Sequence, residues 1–299
     1  MSLQYWPLGF SDSPSYAAPL TPWASFPAAL TVEGQIRRLA ELPHVSLIAL
    51  GGIWRPLGGR QVLQFRHNNP VTVQSLTEQR ADTLGPFPGG LVRAGMRLRL
   101  DFAFRLPAIG GSIRRAHYTV GSAGHVYNSA QQIGTAHTST SGLDVSGWLD
   151  TYLNVLSDVS AAHRGPARFN LSGLGLLSSG VISTADIGSS PTVDFSQPWD
   201  MGLWGVSAAE TATNITSVSW SGGVAIFVNP SHTLNTGDKT TVAGVSVGGY
   251  NGVYSNITRI DANTWSGTLV ADPGGAGTGG TSSRISAVEF RSYSLALEG

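Results

Sequence analysis

A strict alternation of apolar and polar residues constrains the fold of this chain more than any other feature. Every second side chain of residues 96–106 is apolar, and the positions between them carry three arginines, an aspartate and an alanine. Successive side chains of a β-strand point to opposite faces, so the pattern predicts a strand with one buried and one solvated face. The apolar side chains are Met96, Leu98, Leu100, Phe102, Phe104 and Leu106.

Weaker strand-like segments recur along the chain, separated by Gly and Pro. They are residues 116–121, 168–177, 192–195, 201–208 and 285–297. Residues 148–159 also fit a helical spacing, but Trp148 and Tyr152 favour a strand. Many short antiparallel strands predict an all-β fold, and its natural architecture is a jelly-roll-like antiparallel sandwich. We expect this sandwich over residues 86–208.

The first part of the chain, residues 1–85, is expected to form an N-terminal arm and a short helix that serve in attachment. Thr31 is a plausible helix N-cap, apolar residues follow at helical spacing, and Pro43 ends the pattern, so the helix is predicted over residues 31–42.

Residues 2–27 are rich in proline and aromatic residues and nearly free of charge. Such a segment cannot be helical, and a solvated linker would not normally expose so many rings to water. Two interpretations remain open: an extended arm docked on a neighbouring protein, or an irregular wrap over the chain's own domain. The aromatic residues are Tyr5, Trp6, Phe10, Tyr16, Trp23 and Phe26.

The composition changes near residue 211 to Gly, Asn, Thr and Ser with isolated aromatic residues. Short strands are predicted at residues 216–220, 224–229, 240–243, 252–260 and 264–270. Residues 272–283 are dominated by Gly, Thr and Ser and are interpreted as a flexible return linker. Alternation resumes between Val288 and Leu297, and this strand needs a partner. Residues 209–283 are therefore predicted to be a small β-barrel or sandwich inserted before the last strand, and residues 284–299 complete the larger domain.

Composition argues against several functions. Charged residues make up only 12% of the chain, with 18 basic and 18 acidic residues, so no net field favours nucleic acid. No apolar run approaches the roughly 20 residues that cross a bilayer, so membrane insertion is not expected.

Catalytic chemistry also lacks a clear signal. Cysteine is absent, which excludes thiolate catalysis and Cys-type zinc sites. The seven histidines are scattered singly, and the glycine pairs at residues 51–52 and 58–59 lack the lysine of a phosphate-binding loop. Asp144, Asp150 and Asp158 could supply paired carboxylates for glycan cleavage, but solvated loop aspartates are favoured. We expect no enzyme, no metal and no cofactor.

The larger domain resembles the jelly-roll domains of tailed-phage structural proteins, such as neck, head-fibre, spike and decoration proteins. The resemblance covers residues 96–208 and 286–298. It is carried by the alternating strand 96–106, residues 142–148, residues 193–195 and the strand at residues 293–297.

The insert resembles small β-modules of phage tail and virion proteins. Their pattern is a His-Gly-Leu-x-x-Gly-Asp turn, a Val-x-Gly, an Asn-Gly-x-Tyr hairpin and a Thr-aromatic strand. Here these correspond to residues 232–238, 242–244, 251–254 and 264–265, with Thr233 in place of the glycine. The resemblance implies an interaction or spacer unit without known chemistry.

These resemblances imply a structural virion protein assembled in the host cytoplasm. It would form a homo-oligomer, most plausibly a trimer, and contact neighbouring virion proteins as a capsid-decorating, neck or tail component. The alternative is a receptor-binding adhesin whose insert recognises a host surface glycan. Aromatic rings match the faces of sugars, but the same residues can instead form the insert's core. The residues in question are Tyr250, Tyr254 and Trp265, with Trp220 beside them.

Overall fold

The computed structural model describes residues 20–66, 69–107, 114–126, 132–139, 145–157, 160–163, 167–172, 181–182 and 193–299. This part of the chain is almost entirely β-structure arranged in several antiparallel sheets, which confirms the all-β prediction.

A four-stranded sheet precedes the sandwich. It contains β1 (Leu20–Thr21), β2 (Ile36–Leu39), β3 (Ser46–Leu50) and β4 (Ile53–Pro56), and two short 3-10 helices, Trp23–Ser25 and Ala29–Thr31, lie between β1 and β2. The helix predicted over residues 31–42 is wrong. Gly34 adopts φ +79°, which interrupts the helical turn, and Ile36 pairs with Ile48 of the apolar strand β3. Pairing with β3 overrides the helical spacing of a short segment.

The next strands belong to a two-sheet sandwich. They are β5 (Arg60–Arg66), β6 (Val71–Val73), β7 (Gln79–Phe87), β8 (Arg97–Leu106), β9 (Arg114–Ser122), β10 (Gln132–Ser139), β11 (Val145–Ser157), β12 (Ser160–His163), β13 (Ala167–Ser172), β14 (Val181–Ile182) and β15 (Trp199–Val206). β5, β6 and most of β7 precede residue 86, so the predicted start of the sandwich was too late. Of the strand expected at residues 192–195, the described residues 193–195 are not a strand, and Asp194 Oδ1 accepts the Ser196 N–H at 2.9 Å in a turn.

A module with its own apolar core follows β15. One sheet contains β16 (Thr213–Asn214), β19 (Thr240–Ala243), β20 (Gly252–Tyr254) and β24 (Thr281–Arg284). The other contains β17 (Ser217–Ser221), β18 (Val224–Val228), β21 (Thr258–Arg259), β22 (Thr264–Thr268) and β23 (Gly277–Thr278), and a 3-10 helix spans Gly248–Tyr250.

The Gly-rich stretch at residues 272–283 is part of this module, so its interpretation as a flexible return linker is wrong. It contains β23 and most of β24, and β24 lies between β16 and β19. Gly280 has φ +88°, and a Cβ there would lie 2.7 Å from the backbone nitrogen of Val245. Glycine is needed here for close packing rather than for flexibility.

The last strand, β25 (Val288–Glu298), returns to the sandwich and lies between β8 and β5. The larger sheet has the order β14-β13-β11-β8-β25-β5, and the smaller has the order β10-β9-β15-β7. The order β11-β8-β25-β5 in one sheet and β10-β9-β15-β7 in the other is the strand order of a jelly roll.

The two sheets enclose one core. Residues of β8 alternate between buried and partly exposed, with Phe102 and Leu106 among the buried ones, which confirms the reading of the alternation. Across the ladder, Leu98 pairs with Leu297 and Leu100 with Leu295. Ring contacts join Phe102 to Tyr118 of the opposite sheet.

Candidate functional site

The aromatic residues proposed as an interaction surface of the module lie in its core. Tyr250 and Trp265 are 0% exposed, and Tyr254 is 5% exposed. Trp265 stacks on Phe227 with ring centroids 4.1 Å apart. The Tyr254 hydroxyl donates to the Tyr250 carbonyl at 2.8 Å. The surface interpretation is therefore wrong for these three residues, and the core interpretation is correct.

Two of the six arm residues fall within the described chain, and both pack on the chain's own domains. The ring of Phe26 lies 5.0 Å from that of Trp23 and 4.9 Å from that of Trp54 on β4. The Trp23 indole donates to the Gly89 carbonyl. Trp23 and Phe26 are thus part of a wrap over the domain rather than of a docking arm. The other four lie outside the described residues: Tyr5, Trp6, Phe10 and Tyr16.

Of the three aspartates considered for glycan cleavage, Asp144 and Asp158 lie outside the described residues. Asp150 faces the outside of the larger sheet beside Asp101, its cross-strand partner on β8. Arg99 donates to both carboxylate oxygens of Asp150, at 2.9 and 2.8 Å, and lies 3.6 Å from Asp101. A carboxylate held in this way by a bidentate arginine is committed to an ion pair.

These residues belong to a wider set of paired charges, which we call the charge ladder: Arg60, Arg99, Asp101, Asp150 and Glu298. Arg60 lies 3.6 Å from Asp101 and 3.9 Å from Glu298. Burial raises the pKa of Asp101 to about 6, assisted by the hydrogen bond and charge of Asp150, while Arg99 and Arg60 oppose the rise. Because the charges pair with one another, the ladder offers little to a charged ligand.

A second polar network lies on the outer face of the smaller sheet. His125 Nδ1 lies 2.5 Å from Asp200 Oδ1 and 3.3 Å from the Ser122 carbonyl, and its Nε2 lies 2.6 Å from the Thr119 hydroxyl. Trp204 donates to that hydroxyl at 2.7 Å, and Arg80 stacks over the Trp204 ring at 4.8 Å. Burial alone would raise the pKa of Asp200, but the His125 hydrogen bond, the Gly124 N–H and the charge of Arg80 hold it below its ordinary value.

Hydroxyl, imidazole and carboxylate are connected here in the order of a nucleophile, base and orienting acid. Thr119 is 0% exposed, however, and the indole N–H of Trp204 is bound to its oxygen. An electrophile therefore cannot approach this hydroxyl. Instead, the network attaches the loop after β9 to strand β15. No local sequence motif predicts it, because its members come from four separate segments of the chain.

The sequence-based expectation that the chain has no Gly-x-Ser-x-Gly pattern of a hydrolase nucleophile is wrong, because residues 244–248 read Gly-Val-Ser-Val-Gly. Ser246 lies after β19 in the module, and its hydroxyl accepts the Thr278 N–H at 2.9 Å. Thr278 Oγ1 lies 3.4 Å from it. Neither group can act as a general base, and the strand-to-helix context that the pattern requires is not formed by the short Gly248–Tyr250 turn.

One exposed face of the module is free of charge. In the five-stranded sheet, Val224, Ile226 and Val228 form a central column on β18, and each lies opposite a serine of β17 and a serine or threonine of β22. Val224 and Val228 are 39% and 36% exposed. We call this the Ser/Thr/Val face; its members are Ser217, Ser219, Ser221, Val224, Ile226, Val228, Thr258, Thr264, Ser266 and Thr268.

Comparisons with known protein families, curated proteins and solved structures found no match for this chain. Among the described residues, no group of three or more His, Asp or Glu side chains is placed to hold a metal ion. The described helices are all too short to span a membrane. Function must therefore be inferred from the geometry of the chain itself.

Proposed function

We propose that the chain is a structural component of a virus particle of the tailed-phage type. In this proposal the jelly roll forms the body of a homo-oligomer, most plausibly a trimer, and the module contacts a neighbouring virion protein. The chain acts by shape and association, without a catalytic step or a cofactor, at a capsid, neck or tail position.

The observation that carries the proposal is the way the module joins the jelly roll. The chain segments that enter and leave the module meet at a β-bridge between Ala209 and Ile285. Next to this bridge, the Glu210 N–H donates to the Arg284 carbonyl at 2.8 Å. The module has a core separate from that of the sandwich. A body with a separately cored projection is suited to spacing and contact in an assembly.

Surface chemistry supports the same function. The charge ladder pairs its charges internally, and the Ser/Thr/Val face carries none, so electrostatic steering contributes little to association. An uncharged face with a central aliphatic column fits a long-lived contact in which apolar burial sets the affinity.

The first test is whether the chain is found in particles. Particles are purified on a density gradient from a lysate of cells that produce the chain, washed in high salt, and probed with an antibody against the chain. We expect the chain to band with the particles and to resist the wash. Recovery only in the soluble fraction, from a lysate that does contain particles, would overturn the proposal.

A second test concerns the Ser/Thr/Val face. Ile226→Glu places a charge in the centre of the face, and Val270→Glu places the same charge at a side chain that is 86% exposed and lies outside it. Both variants should fold, as judged by circular dichroism. Only Ile226→Glu should fail to be incorporated into particles; equal incorporation of the two variants would exclude this face as the contact.

No observation favours the alternative of a host-glycan adhesin. Its aromatic residues, Tyr250, Tyr254 and Trp265, are buried in the module and cannot stack on a sugar.

A further inference from the structure

A cleft of about 530 Å³ lies where the residues before β2 meet the connection between β7 and β8. Its volume falls in the range of pockets that hold a drug-sized molecule, roughly 300–1,000 Å³. The walls come from three segments of the chain: residues 23–30, residues 52–54 and residues 90–94. We call it the aromatic cleft, since Trp23, Phe26 and Trp54 line it.

The aromatic walls are held in place by hydrogen bonds to backbone carbonyls. The Trp54 indole donates to Pro27 at 3.0 Å, and the Trp23 indole donates to Gly89. Both indole N–H groups are therefore already bonded, and the rings offer mainly apolar surface to an occupant. Leu30, also in the lining, is 79% exposed. A leucine and three aromatic rings around one cleft favour an occupant with an apolar or aromatic body.

One wall of the aromatic cleft carries a positive charge. Among the described residues that line the cleft, Arg93 is the one charged side chain. Gly90 has φ +77°, and a Cβ there would lie 3.1 Å from Arg93 Nη2 and 3.6 Å from Trp23 Nε1. Because residue 90 has no side chain, the guanidinium lies against its backbone, beside the Trp23 indole. A guanidinium offers five N–H donors and stays protonated in proteins, so the cleft combines apolar walls with one fixed cation.

We propose that the aromatic cleft binds a small organic anion, a molecule with an aromatic or aliphatic body and one acidic group such as a carboxylate. The body packs against the three rings, and the acidic group pairs with Arg93. The size of the cleft selects a free small molecule over a protein, since a stable protein–protein contact buries about 800 Å² on each partner and the cleft is confined to three short segments. The inference does not depend on the proposed virion role.

The test compares the binding of two dyes to the full chain by fluorescence titration. The first, 8-anilino-1-naphthalenesulfonate, has an aromatic body and one sulfonate, which stands in for the acidic group. The second, N-phenyl-1-naphthylamine, has the same rings without the charge. In the parent protein the sulfonate dye should saturate at one molecule per chain and bind about tenfold more tightly than the neutral dye, because it adds a hydrogen bond between charged groups.

Changes at Arg93 separate the role of charge from that of shape. Arg93→Gln should weaken binding of the sulfonate dye about tenfold and leave that of the neutral dye unchanged. Arg93→Lys keeps the charge and should retain the preference for the sulfonate dye. Arg291→Gln is the matched control, since it removes a partly exposed arginine of β25 away from the cleft, and it should alter neither affinity.

A variant that fills the cleft shows where the dyes bind. Ala94→Trp introduces a ring at an exposed lining position and should abolish binding of both dyes. All variants should keep the melting temperature of the parent in circular dichroism, so that dye binding does not report a loosened fold. Equal affinity of the parent for the two dyes, or binding of the sulfonate dye that survives Ala94→Trp, would overturn the proposal.

Discussion

At the scale of single residues, burial moves the pKa values of an acid and a base in opposite directions. Burial disfavours whichever form is charged, so it raises the pKa of Asp101 in the charge ladder and lowers that of His117 on β9. His117 is 0% exposed, its Nε2 lies 3.6 Å from Glu78 Oε2, and the charge of Arg115 lowers its pKa further. The two residues therefore give opposite pH dependences of stability.

His117 should weaken the fold in acid. Its pKa falls from 6.5 to about 3 on folding, so between these values the unfolded chain binds more protons and stability is lost as the pH falls. His117→Gln removes this titration. The variant should lose on the order of 2 kcal/mol less stability than the parent between pH 7 and pH 4.5. Urea unfolding at both pH values checks this, and equal losses would contradict it.

Asp101 should act in the other direction. Its pKa rises from 3.8 to about 6 on folding, so between these values the folded chain binds more protons and stability rises as the pH falls. In Asp101→Asn this contribution is absent. We expect the free energy of unfolding of the variant, relative to that of the parent, to be higher at pH 8 than at pH 5, since only the parent gains stability from this group as the pH falls. A difference independent of pH would show that Asp101 remains charged.

At the scale of elements, a sequence pattern predicts the structure correctly when the pattern does not depend on which strand the segment pairs with. The alternation of residues 96–106 records the two faces of β8 directly. The helix expected at residues 31–42 is wrong although the three-residue spacing of Ile36 and Leu39 fits a helix, because pairing with β3 decides the structure of this short segment. The Gly-rich stretch was misread because its partner, β19, lies about forty residues earlier.

The candidate sites divide in the same way. The Ser/Thr/Val face could have been found from sequence, because serine alternates with Val218 and Trp220 on β17. The network of Thr119, His125 and Asp200 could not, since the jelly-roll topology brings β9 and β15 together from distant parts of the chain. Whether an aromatic residue lies in a core or on a surface also depends on packing, so the sequence alone leaves both positions open for Trp265.

Two neighbouring glycines test the structural role of the Gly-rich stretch. Gly279 and Gly280 both have positive φ, but a Cβ at Gly279 meets nothing within 4 Å, whereas one at Gly280 meets Val245 N at 2.7 Å. Gly279→Ala should cost about 1 kcal/mol through backbone strain. Gly280→Ala should destabilise the module several-fold more, as measured by thermal unfolding. Similar small effects at both positions would restore the flexible-linker interpretation.

At the scale of the whole molecule, the module is joined to the sandwich through few contacts. The Lys239 ammonium donates to the Gln74 carbonyl at 2.7 Å, and the Gln74 amide donates to the Ile285 carbonyl at 3.3 Å. Because residues 210 and 284 are already hydrogen-bonded to each other, a short loop can span them.

Replacing residues 211–283 with a short Gly-Ser loop should therefore preserve the sandwich. Loop-closure free energy depends only weakly on length, so the variant should keep a β-rich circular dichroism spectrum and the same number of subunits as the parent in light scattering. If the proposed function is correct, its incorporation into particles should be lost with the Ser/Thr/Val face. If the variant aggregates, or melts far below the parent, the module is required for the sandwich to form.

The central position of β25 in the larger sheet sets an order of events during biosynthesis. Until residues 288–298 have left the ribosome, β8 and β5 lack the strand that lies between them, and the apolar edge of the nascent sheet stays open to aggregation. The module is completed earlier and can fold first. The folded module brings Ala209 and Ile285 together. It thereby places β25 close to the end of β15, so that β25 pairs with β8 and β5 across a short effective loop.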